Sequence, residues 1–113
     1  MSGPELVVAS PHGSQEVTTF LDGSERVVIR LGPAWCGYGT YRPGWRWSAH
    51  VQPLHGQRSA PHAGFVLSGQ MVVRTPDGLE MRVEAGQGFF ADAGHDAWVI
   101  GEVPCVALDF PVP

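Results

Sequence analysis

No window of a dozen residues in this chain keeps a helical hydrophobic period without a Gly or Pro interrupting it. With 15 Gly and 10 Pro among 113 residues, the uninterrupted intervals suit strands and are too short for ordinary helices. What fills those intervals is rich in β-branched and aromatic residues. Val27, Val28 and Ile29 run into Gly32-Pro33, residues 37–41 close at Pro43-Gly44, and residues 45–51 alternate along their length. Residues 65–67, 71–73, 79–83, 89–90, 98–100 and 106–108 bring the expectation to about nine strands. Pro76-Asp77-Gly78 between two of them is a hairpin signal that needs a positive φ at Gly78. The expected class is all-β, an antiparallel barrel whose closure removes exposed strand edges.

The length suits one such barrel and leaves no room for a second core. Residues 1–14, with Pro4, Pro11, His12 and Gly13, read as a flexible N-terminal arm, and residues 15–113 as a single domain. Net charge is −4 and all seven basic residues are arginines that form no run. Neither a nucleic-acid backbone nor an anionic membrane is therefore an expected partner. No apolar stretch approaches the roughly 20 residues of a membrane span, and residues 1–11 lack a basic region followed by an apolar run, so a cytoplasmic location is expected. Cys36 and Cys105 stand apart from any Cys framework and read as small buried hydrophobes. The chain contains no Lys, which excludes Schiff-base chemistry of the covalent pyridoxal-phosphate kind.

Two stretches carry a family resemblance. Gly44 is followed after five residues by His50, and Phe65-Val66-Leu67-Ser68-Gly69 closes the same unit; Gly86 and Gly94 stand in a second unit, sixteen residues further on. This framework resembles the two motifs of the cupin superfamily, in small single-domain bacterial members with altered metal-binding motifs, over about residues 40–110. It implies a cupin-type, jelly-roll-like barrel. Departures are equally specific. Gln52 stands where the second His of the first motif would be, His62 occupies the Glu position counted back from Gly69, Asp92 replaces Pro, and Ala97 takes the His position of the second motif with His95 two residues earlier.

Strand parity over residues 45–52 places Arg46, Ser48, His50 and Gln52 on one face and Trp45, Trp47, Ala49 and Val51 on the other. The resemblance implies that His50, His62 and His95 converge inside the barrel, where neutral imidazoles hold a divalent transition metal, with Gln52 supplying an amide oxygen or anchoring a water. Zn, Fe(II), Ni or Cu suit such ligands better than Mn or Mg. Arg46 suits either an anionic substrate group or a salt bridge, and Phe65 and Trp98 are further candidates for the substrate pocket. His55, in a turn, reads as solvent-facing. The expected function is a metal-dependent cupin acting on a small organic substrate; the alternative is a non-catalytic small-molecule-binding or sensing module. A homodimer is expected, through outward-facing Trp45 and Trp47.

Overall fold

The computed structural model describes residues 5–113; the first four residues of the expected arm lie outside the described residues. Nine strands form in chain order: β1 Val17–Thr19, β2 Glu25–Leu31, β3 Ala34–Tyr41, β4 His62–Ser68, β5 Gln70–Arg74, β6 Glu80–Glu84, β7 Gly88–Ala91, β8 Asp96–Val99 and β9 Cys105–Phe110. Between β3 and β4 lie two helical turns, α1 Trp47–His50 and α2 Gln52–His55. A six-stranded antiparallel sheet in the order β1-β2-β3-β9-β4-β7 faces a three-stranded one in the order β6-β5-β8. The sheets pack as a jelly-roll-like sandwich and do not close into one continuous barrel. Among the described residues no helix is long and apolar enough to cross a membrane.

The core lies between the sheets. Val66 and Cys105 are fully enclosed, and Met71, Val73, Val83, Ala97 and Val99 from the smaller sheet meet Tyr41, Ala91 and Ala107 from the larger. These residues alternate with exposed ones along each strand, as a half-buried antiparallel sheet requires. Both cysteines are free; Cys105 is buried, its thiol pushed up to about 11 by that burial, whereas Cys36 is partly exposed. The β5–β6 connection follows its sequence signal: Gly78 adopts a φ of 95° and donates its N–H to the Thr75 carbonyl at 3.0 Å.

Residues 45–51 depart from the expected strand. Trp45 and Arg46 begin as one, with an antiparallel bridge from Arg46 to Trp98 and a bond from the Val99 N–H to the Trp45 carbonyl. At Trp47 the chain turns helical because Asp96, at the start of β8, captures it. That carboxylate accepts from the Ser48 N–H at 3.0 Å, the Ser48 hydroxyl at 2.7 Å, the Ala97 N–H at 2.9 Å and Arg46 Nη1 at 3.2 Å. The two-residue alternation assigned to Arg46, Ser48, His50 and Gln52 is therefore lost. Trp45 and Trp47 do not face outward as a pair: Trp45 is 4% exposed in the core, and Trp47 packs against that core. The strand count stays at nine because β1, which the sequence reading passes over, takes the place of the lost strand.

Inside the larger sheet, three glycines create room. Gly37 and Gly39 on β3 and Gly64 on β4 sit beneath the Arg26–Asp109 pair, the Tyr41 ring and the Phe89 ring respectively, and a Cβ at any of the three would collide with what it underlies. Alanine in a strand ordinarily gains about 0.5–1 kcal/mol over glycine. At Gly37 the sign reverses. Gly37→Ala is expected to lower unfolding free energy by about 1–3 kcal/mol in chemical denaturation, while Gly88→Ala, where the nearest atom lies at 3.4 Å, keeps the ordinary sign and does not lower it. Equal midpoints for Gly37→Ala and wild type would contradict this packing.

Candidate functional site

A cavity of about 420 Å³ opens between the sheets, beside the segment 45–60. Aromatic rings form much of its wall: Phe20, Tyr41, Trp45, Trp47 and Phe89. Tyr41 and Trp45 pack with centroids 4.4 Å apart and Phe20 lies against both. The Trp45 indole N–H is the only buried side-chain polar atom without a hydrogen-bond partner among the described residues. An unpaired buried donor costs about 1–3 kcal/mol. Burial also pushes the Tyr41 phenol well above its ordinary value, so it is a neutral hydroxyl throughout the physiological range.

Two polar pairs stand in this wall. Arg26 on β2 reaches across Gly37 to Asp109 on β9 in a bidentate contact, Nε to Oδ2 at 2.7 Å and Nη2 to Oδ1 at 2.6 Å. These bonds raise the guanidinium's already high pKa and leave the pair internally neutral. The second pair links β4 to the connection between β7 and β8. His62 on β4, on the same sheet face as Gly64 and Val66, brings Nδ1 to 3.3 Å from Nε2 of His95, with the rings perpendicular. His95, 5% exposed, is anchored by Nδ1, which lies 2.8 Å from the Asp92 carbonyl. A carbonyl only accepts, so this Nδ1 carries the proton. In the neutral ring Nε2 is then an acceptor toward His62, whose own Nδ1 donates and whose Nε2 keeps a lone pair. Ser59, also buried, ties the 56–61 loop to the same place through its hydroxyl and the His95 carbonyl at 2.6 Å.

The candidates from sequence separate here. His62 and His95 meet and line the cavity. His50 does not join them; its Nδ1 accepts the Arg46 N–H at 2.9 Å and closes the α1 turn. Gln52 lines a shallower recess of about 240 Å³ beside Ser59 and Asp96. Arg46 takes the salt-bridge role, paired with Asp96 and lying 4.1 Å over the Trp98 ring. Trp98 and Phe65 lie outside the cavity lining; each alternates with inward residues on its strand. His55, exposed as expected of a turn residue, nevertheless reaches the cavity rim against Trp47. Arg26, Asp109, Tyr41 and Arg58 are missed by sequence reasoning. Arg26 and Asp109 are 83 positions apart, and no local pattern joins them.

For a divalent metal, the donor set decides. The 3.3 Å between His62 Nδ1 and His95 Nε2 suits two nitrogens on one ion bound at about 2.0–2.1 Å. A third ligand is missing: among the described residues no group of three or more His, Cys, Asp or Glu side chains is placed to hold a metal ion. Both oxygens of the cavity carboxylate, Asp109, are engaged by Arg26. The donor set falls one short of the three protein ligands that catalytic zinc-type sites use, and the metal centre expected from His50, His62 and His95 is not assembled.

Burial, reinforced by the neighbouring His95, pushes the His62 imidazole below its ordinary 6.5, so it is neutral at pH 7. Between the folded and unfolded values the unfolded chain binds more protons, so stability rises with pH across that window. The melting temperature is expected to hold at neutral pH and to fall as pH drops through about 6.5. His62→Gln flattens that segment of the profile; an unchanged slope in the variant would contradict the assignment.

No protein-family model matches this sequence, and no curated protein matches it. Solved structures do. KdgF from Halomonas sp. superposes with a TM-score of 0.61 at 17% identity, covering 99% of this chain and 96% of that one. A protein of unknown function (DUF1255) from Acinetobacter sp. gives 0.65 at 12% identity, with 87% and 90% covered. The Drosophila melanogaster CENP-C cupin domain gives 0.56 at 16%, with 84% and 70% covered. At these identities the likeness establishes the fold, and the fold is that of a cupin.

Proposed function

We propose that this chain is a small-molecule-binding cupin that holds its ligand in the cavity between the two sheets. The observation that carries the reading is an aromatic-walled space of about 420 Å³ whose lining includes Trp45, a residue whose buried indole N–H has no hydrogen-bond partner among the described residues. That volume falls in the range of roughly 300–1,000 Å³ typical of small-molecule sites, which combine apolar walls with a few convergent polar groups. Here those groups are the Trp45 N–H as donor, the His62 imidazole as acceptor and the Arg26–Asp109 pair as a fixed dipole. This is the binding-module alternative of the two functions expected from the sequence. Metal-dependent catalysis is the weaker reading because its donor set is incomplete.

The experiment is a fragment screen by thermal shift and calorimetry, together with metal analysis of protein purified without added metal. Ring-bearing fragments are expected to raise the melting temperature by mass action. Met71→Trp, which fills the cavity from β5, abolishes that shift. Fragments that bind Met71→Trp as well as wild type would remove the cavity as the site. A stoichiometric, tightly held divalent metal would overturn the reading in favour of the metal-dependent one.

A further inference from the structure

The cavity lining carries one arginine that no other described residue pairs. Of the seven arginines, Arg26, Arg30, Arg46, Arg74 and Arg82 are in ion pairs with Asp109, Glu16, Asp96, Glu80 and Glu84. Arg42 donates to the Asp22 carbonyl. Among the described residues only Arg58 has neither a carboxylate nor a hydrogen-bond acceptor for its guanidinium. It is also the arginine that borders both the main cavity and the 240 Å³ recess. Its stem passes Gly94, where an added Cβ would lie 3.8–3.9 Å from Arg58 Nη1 and Cδ.

The two carboxylates nearby are already occupied. Asp109, in the main cavity, is held by Arg26 through both oxygens, and Asp96, in the recess, accepts from Arg46, Ser48 and Ala97. Among the arginine and carboxylate side chains that line the main cavity, Arg26 and Asp109 cancel and Arg58 is left over. Arg58 is an exposed residue of the lining, whereas Trp45 is only 4% exposed.

We infer that the ligand is a ring-bearing monocarboxylate, with its ring among the cavity aromatics, a hydrogen-bond acceptor at the Trp45 N–H and its carboxylate on Arg58. This rests on the small-molecule reading above and adds the charge and shape of the occupant. The planar fork of a guanidinium matches a carboxylate bidentately, whereas a neutral amide of the same shape offers it a single oxygen.

The test is calorimetry on the full chain with benzoate, cinnamate and naphthoate, each beside its primary amide and its amine analogue. Wild type is expected to bind the best acid about tenfold more tightly than its amide, a difference of about 1.4 kcal/mol, and to reject the amine. Arg58→Gln removes the acid's advantage and leaves amide binding as it was. Trp45→Phe weakens acid and amide together, and its melting temperature without ligand reports whether the core is intact. Acid and amide binding equally to wild type, or Arg58→Gln weakening both alike, would overturn the carboxylate inference while leaving a small-molecule cavity. Failure of acids, amides and amines alike would overturn both.

Discussion

The Asp96 carboxylate is the point from which the architecture around the cavity is held. It sits at the start of β8, and four donors from Arg46, Ser48 and Ala97 converge on its two oxygens. Burial raises its pKa, but the Ser48 and Ala97 donors and the Arg46 charge outweigh that, and the group lies below its ordinary 3.8. It is therefore charged wherever the protein is folded at ordinary pH, and charge-assisted bonds of this kind are about twice as strong as neutral ones. Their consequence is topological. A chain that starts to pair with β8 at Arg46 is turned away at Trp47, and the excursion through α1 and α2 carries His55 and Arg58 to the cavity rim instead of extending the smaller sheet.

The opposite wall is shaped by what is missing. Gly37, Gly39 and Gly64 lack the side chains that would otherwise fill the inner face of the larger sheet, and Arg26, Asp109, Tyr41 and Phe89 lie over the places so vacated. A strand glycine has an entropic cost. It is retained here at positions where any Cβ would displace a wall residue. The cavity is thus bounded by a glycine-floored sheet on one side and a helical excursion on the other, with the His62–His95 contact tying β4 to the β7–β8 connection. Trp45 takes part in both: it is a core residue by burial and a cavity residue by position.

How legible this was in the sequence depends on range. Strands β2 to β9 follow from local signals, because breakers, β-branched runs and Asp-Gly turns act within a few residues. Residues 45–51 mislead because their alternation is real, and the structure they adopt is decided by Asp96, 48 positions away from Ser48. β1 is three exposed residues and leaves almost no pattern. Within the site, His62 and His95 are legible through the spacing of the cupin framework, and His50 is not, since its place depended on the strand that Asp96 removes. Arg58 gives no local signal at all; its significance is the lack of a partner, which only the folded arrangement reveals.

In the proposed binding mode a ligand enters between the sheets and meets the Trp45 indole. The most direct measurement is the ¹H–¹⁵N resonance of that indole, assigned by its disappearance in Trp45→Phe and followed during titration with a ligand from the fragment screen. An unpaired N–H that gains an acceptor moves downfield and exchanges more slowly with solvent, so saturation is expected to produce both changes in step with the calorimetric isotherm. Binding that saturates while the Trp45 resonance stays in place would contradict the claim and put the ligand elsewhere on the protein.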